Sequence, residues 1–145
     1  MIKGVHHHGI IVSDLEKSIK FYRDILGLKL NYTNEGGGEE IAKAVGMDGT
    51  VYMREAHLEA GKDHIELIQY VDPKGKPYDR LPCDVGNMHI AFRVSNIYKL
   101  YDELQKKGVK FNTSPVEEKE GPLKGWIWVY LKDPDGVTIE FVEQH

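Results

Sequence analysis

Four side chains in this 145-residue chain have the types and spacing of a metal site: His7, Glu66, His89 and Glu140. His7 and His89 each stand on a segment that reads as a strand, and they lie 82 residues apart (89 − 7). Glu66 and Glu140 stand in the similar runs Ile65-Glu66-Leu67-Ile68 and Ile139-Glu140-Phe141-Val142, 74 residues apart (140 − 66). Side chains alternate faces along a strand. In all four segments the polar residue therefore falls on the face opposite its aliphatic or aromatic neighbours. A carboxylate flanked in mid-strand by Ile and Leu is costly unless a cation offsets its charge. Two imidazoles and two carboxylates without a thiolate suit Zn²⁺, Ni²⁺, Co²⁺, Mn²⁺ or Fe²⁺. With water in its remaining positions such an ion is a Lewis acid.

The elements that must position these residues come as a repeat. His7 to Leu15 matches His89 to Ile97, with His, Val and Ser in common. Each half predicts a strand (5–12; 88–94), then a helix, then three extended segments (28–33, 50–58 and 62–71; 109–112, 126–132 and 137–143). Ser13 with Glu16 fits a capping box for the first helix, and Asn96 fits the N-cap of the second. Gly27 and Gly108 supply the stops. Residues 60–63 and 133–136 read as hairpin turns. The Gly-rich stretch 34–49 reads as a loop carrying a short helix over 39–45. The polar, proline-containing stretch 72–86 reads as the linker. The fold class is α+β: two βαβββ modules, about 1–82 and 83–145, in one domain. Gly36-Gly37-Gly38 is followed by no Lys-Ser/Thr and is not a phosphate loop.

Composition narrows the function classes. Hydrophobic residues make up 41% and charged residues 29%, and the net charge is −4 with the signs interspersed. No basic stripe marks a nucleic-acid surface. No run of about 18 apolar residues is present to form a membrane helix. Cys83 is the single cysteine, so no internal disulfide is expected, and that usage fits a cytoplasmic setting. The start of the chain does not read as a signal peptide. His6 and His8 fall on the face opposite His7. His64 shares the Glu66 face and is a candidate supporting residue. Arg54, Tyr70, Arg93 and Lys124 are candidate contacts for an anionic substrate.

The motifs His-His-Gly-Ile-Ile-Val-Ser-Asp-Leu-Glu at 7–16, Phe21-Tyr22-Arg23-Asp24-Ile25-Leu26-Gly27, Asn87-Met88-His89-Ile90-Ala91-Phe92 and Lys132-Asp133-Pro134-Asp135-Gly136 resemble the vicinal-oxygen-chelate superfamily. That group includes glyoxalase I, methylmalonyl-CoA epimerase, thiol transferases of fosfomycin resistance, extradiol dioxygenases and bleomycin-binding proteins. The resemblance covers nearly the whole chain. It implies paired modules whose sheet cups a metal, with His7, Glu66, His89 and Glu140 as ligands, the set closest to glyoxalase I. It implies a homodimer and a small carbonyl substrate whose neighbouring oxygens chelate the metal. It implies a lyase or isomerase that moves a proton through an enediolate, with Glu140 or Glu66 as the base. Bacterial glyoxalase I carries a glutathione-binding Arg four residues after its first His ligand and an Asn four residues after its first Glu. Ile11 and Tyr70 stand there instead, which argues against glutathione. Alternatives are an Fe²⁺-dependent extradiol-type dioxygenase, for which a fourth ligand is superfluous, and a non-enzymatic resistance protein, in which the ligands are absent.

Overall fold

The computed structural model describes residues 1–144. They form two compact units, Met1–Pro77 and the segment from Tyr78 onward. The division falls inside the stretch that reads as a linker.

The first unit runs β1 (His8–Ile11), α1 (Leu15–Ile19), β2 (Lys29–Gly38), α2 (Glu39–Ala44), β3 (Val51–Ala60) and β4 (Asp63–Asp72). Its sheet has the order β1-β4-β3-β2, with β1 parallel to β4 and the other pairs antiparallel. The second unit runs β5 (His89–Arg93), α3 (Ile97–Lys106), β6 (Val116–Glu117), β7 (Ile127–Lys132) and β8 (Thr138–Glu143). Its order β5-β8-β7-β6 repeats the same plan, again with the first and last strands parallel. The βαβββ arrangement is thus present twice, and the α+β expectation holds.

Each unit has its own core, built by period-two burial along the strands and period-3.6 burial along the helix. In the first, Ile10, Val12, Leu15, Ile19, Tyr22, Leu58, Ile65 and Leu67 are buried. In the second, Ile97, Leu104, Val129, Leu131, Ile139 and Phe141 take that part. Removing such side chains from water stabilises each unit by about 1.5–3 kcal/mol per residue.

Several local expectations are corrected. The cap of α1 is Asp14, whose carboxylate accepts from the Lys17 amide at 3.0 Å, one residue later than the Ser13 box. The helix then widens into a π-helical segment, Lys20–Ile25, before Gly27 stops it at φ +84°. Asn96 does occupy the N-cap position of α3, but in the left-handed region and with no hydrogen bond from its side chain. The Glu143 carboxylate caps α3 instead, accepting from the Asn96 and Ile97 amides at 2.8 Å each. Gln69 does the equivalent work on α1: its carbonyl accepts from the Leu15 amide at 3.0 Å while its amide donates to the Ser13 carbonyl at 3.2 Å.

Residues 34–38 are strand and not loop. Gly36, Gly37 and Gly38 pair with Met53, Tyr52 and Val51. Glycine is required there because a Cβ on Gly37 would lie 1.9 Å from the Val51 carbonyl oxygen. Residues 109–112 form only a single bridge, Phe111 to Leu131, and the edge strand falls later, at β6.

Candidate metal centre

The parallel pairing in each unit sets a histidine beside a glutamate. In the first, Gly9 lies opposite Glu66; in the second, Ala91 lies opposite Glu140. The facing residue is small in both cases, which leaves room above the carboxylate. The histidine two residues earlier shares that face and fills the room. His7 Nε2 stands 3.2 Å from Glu66 Oε2, and His89 Nε2 stands 3.0 Å from Glu140 Oε2. Ile65, Leu67, Ile139 and Phe141, on the opposite face, are buried. The carboxylates are themselves mostly covered, with side-chain exposures of 16% and 14%. Their imidazole partners, at 42% and 48%, remain reachable from solvent. The structure therefore pairs His7 with Glu66 inside the first unit and His89 with Glu140 inside the second.

The antiparallel neighbour adds a further group to each pair. His57 on β3 lies across from Glu66, and Tyr130 on β7 lies across from Glu140. His57 Nε2 is 3.3 Å from Glu66 Oε1 and 3.9 Å from Glu55 Oε2, and its ring stacks on Tyr32 at 4.3 Å. Glu55, His57 and Glu66 form a group whose donor atoms could hold a metal ion. The Tyr130 phenol donates a hydrogen bond to Glu140. Burial first, then the Glu140 charge and that hydrogen bond, push the phenol above its ordinary pKa. The His89 ring meets Tyr130 edge-on at 5.5 Å.

His6 is exposed, as expected, but it is not idle. Its Nδ1 lies 2.8 Å from His7 Nδ1, a hydrogen bond whose donor is set by the tautomers, and this turns His7 Nε2 toward Glu66. An imidazole whose other nitrogen is hydrogen-bonded is held for ligation. His64 stacks on His6 at 6.1 Å and so supports the pair at one remove. Arg54 is engaged by Glu16 at 2.8 Å and Glu35 at 3.7 Å. Tyr70 packs against the small apolar cluster of Ala42, Val51 and Met53. Both have structural work that accounts for them.

His57, Glu55 and Tyr130 were not singled out from the sequence. The signal existed for His57. The turn pairs Ala60 with Asp63, and counting outward along the hairpin pairs 57 with 66. The chemistry of the donor set fits a divalent cation: in each unit a covered carboxylate faces imidazole nitrogen at 3.0–3.3 Å.

The chain is similar to known proteins over nearly its whole length. The family model described as the Glyoxalase/Bleomycin resistance protein/Dioxygenase superfamily matches residues 4–141. A lactoylglutathione lyase of Haemophilus influenzae is 32% identical over 140 residues, covering 94% of this chain and 90% of that protein. A 2-epi-5-epi-valiolone epimerase of an Actinomyces species is 28% identical over 143 residues, covering 96% of this chain and 78% of that protein. The crystal structure of a glyoxalase family protein from Bacillus cereus superposes with a TM-score of 0.82 at 21% identity, covering 99% and 95% of the two chains, which speaks to the fold alone.

Proposed function

The chain belongs to the glyoxalase/bleomycin resistance protein/dioxygenase superfamily, and on that footing we propose that it is a divalent-metal-dependent isomerase or lyase acting on a small carbonyl compound. The observation that carries this is the twin pairing of His7, the residue just before β1, with Glu66 and of His89, the first residue of β5, with Glu140. Together the pairs offer two imidazoles and two carboxylates, and we assign all four as metal ligands. A divalent cation held by them would polarise a substrate carbonyl and offset the negative charge that develops as the neighbouring C–H proton leaves.

The chain's own groups then divide the labour. His6 orients His7, and Tyr130 holds Glu140 by a donated hydrogen bond. Glu140 or Glu66 removes the proton and returns it, since these are the two acids paired with the candidate histidines. Relatives named as an epimerase and a lactoylglutathione lyase support the reaction class. Ile11 and Tyr70 replace the residues expected for glutathione, and Tyr70 sits in an apolar cluster. We therefore favour an epimerase-type substrate over a glutathione adduct.

The test is elemental analysis of untagged protein, followed by incubation with α-hydroxy ketones, branched acyl-CoA esters and 2-oxoaldehyde–thiol adducts in D₂O. We expect about one bound divalent ion at these ligands, lost on His89→Ala, and deuterium entering alpha to the carbonyl of one class. Glu66→Gln and Glu140→Gln should each slow turnover at least tenfold, with one variant still binding metal. Full activity in both variants would refute the assignment of the base. Retention of all metal by His89→Ala would refute the ligand set.

A further inference from the structure

Glu66 has a different imidazole at each carboxylate oxygen. Oε2 faces His7 at 3.2 Å, and Oε1 faces His57 at 3.3 Å. On the same face of β3, two residues before His57, Glu55 brings its Oε2 to 3.9 Å from His57 Nε2. One donor atom from each of Glu55, His57 and Glu66 can be chosen so that all lie within 4.8 Å of one another. Metal–ligand bonds of about 2.0–2.2 Å put two donors on opposite sides of an ion a little over 4 Å apart, and closer at any smaller angle. Separations of 3.3 and 3.9 Å fit such an ion, and a small rotation of either glutamate closes the third.

We propose that Glu55, His57 and Glu66 form a second divalent-cation seat within the first unit, with Glu66 bridging it to the position shared with His7. Glu55 and Glu66 are both largely covered, at 22% and 16% side-chain exposure, on adjacent strands. Like charges placed so close repel. His7 and His57 both face Glu66 and His57 also reaches toward Glu55, whereas a dication seated between the two carboxylates offsets both charges. The stack on Tyr32, at 4.3 Å and 22°, fixes the His57 ring with Nε2 toward Glu66, so little conformational freedom is lost on binding. One nitrogen and carboxylate oxygens without sulfur suit Mn²⁺, Co²⁺, Ni²⁺ or Zn²⁺. A carboxylate that bridges two ions about 3.5–4 Å apart is a standard arrangement of two-metal centres. This inference rests on Glu66 being a ligand, as proposed above, but it needs neither His89 nor Glu140.

The experiment is equilibrium dialysis of the full untagged chain, stripped with chelator, against Co²⁺, with metal content and visible absorption read together. Two equivalents per chain are expected. His57→Phe, which keeps the ring stack and removes the nitrogen donors, should bind one, as should Glu55→Gln. The double variant His89→Ala, Glu140→Gln should keep one equivalent, at the second seat. Circular dichroism confirms that each variant is folded. One equivalent in the wild type, unchanged by His57→Phe, overturns the second seat and leaves the four-ligand reading intact. One equivalent that His57→Phe abolishes and the double variant retains supports the seat and overturns the four-ligand reading. No binding by the wild type overturns both.

Discussion

Ser18 is wholly buried on α1, and its hydroxyl has no hydrogen-bond partner among the described residues. A polar atom left unsatisfied in the interior costs about 1–3 kcal/mol, and alanine is also the better helix former. Ser18→Ala should therefore raise stability by about 1 kcal/mol, seen as a higher denaturant midpoint with an unchanged slope. At this scale His7, Glu66, His89 and Glu140 were legible before any coordinates, because alternation along a strand assigns a face without knowing the partner strand. The structure sets His7 beside Glu66 and His89 beside Glu140, each pair within its own unit. What alternation does not reveal is which residue on the next strand meets them. His57 and Tyr130 emerge from the ladder register, and His6 from a ring contact between sequence neighbours that period-two reasoning sends to opposite faces.

Among the elements, the strands nearest the repeat motifs were readable and the edges were not. β4, β7 and β8 fall within a residue or so of their expected bounds, since buried aliphatic runs and well-formed turns frame them. Three glycines in a row read as a loop that ends the strand at 33, whereas they form the end of β2, an edge strand paired with β3. The reason is local and testable. A Cβ at Gly37 would overlap the Val51 carbonyl, while one at Gly36 would meet nothing within 4 Å. Gly37→Ala should cost roughly 2 kcal/mol or more, and Gly36→Ala a small fraction of that, in paired thermal melts. The helix starts read to within a residue, at Asp14 beside Ser13 and at Asn96, but the further capping groups Gln69 and Glu143 lie more than forty residues away along the chain, where no short motif can signal them.

For the molecule as a whole, the duplication read from offsets of 82 and 74 residues corresponds to two units of one topology. No helix among the described residues is long and apolar enough to cross a membrane. Ile2, Val5, Ile11, Val85 and Met88 are large apolar side chains left exposed. The habit of the family leads us to propose a homodimer. Light scattering on eluted protein should give twice the chain mass of 16.5 kDa; a monomer across micromolar concentrations would refute it.

The two helix caps carry a lesson about descent from a common half. Gln69 gives one proton and takes one, between the Ser13 carbonyl and the Leu15 amide. Glu143 takes two, from Asn96 and Ile97, and gives none. Neither can stand in for the other. Glutamate at 69 would face a carbonyl with nothing to offer it, and glutamine at 143 would turn an NH₂ toward an amide N–H. Gln69→Glu and Glu143→Gln should each lose about 1–2 kcal/mol in chemical denaturation, although each installs what the sister half already uses. The halves have become private dialects: grafting a segment from one into the other fails at the cap unless the receiving strand is rewritten with it.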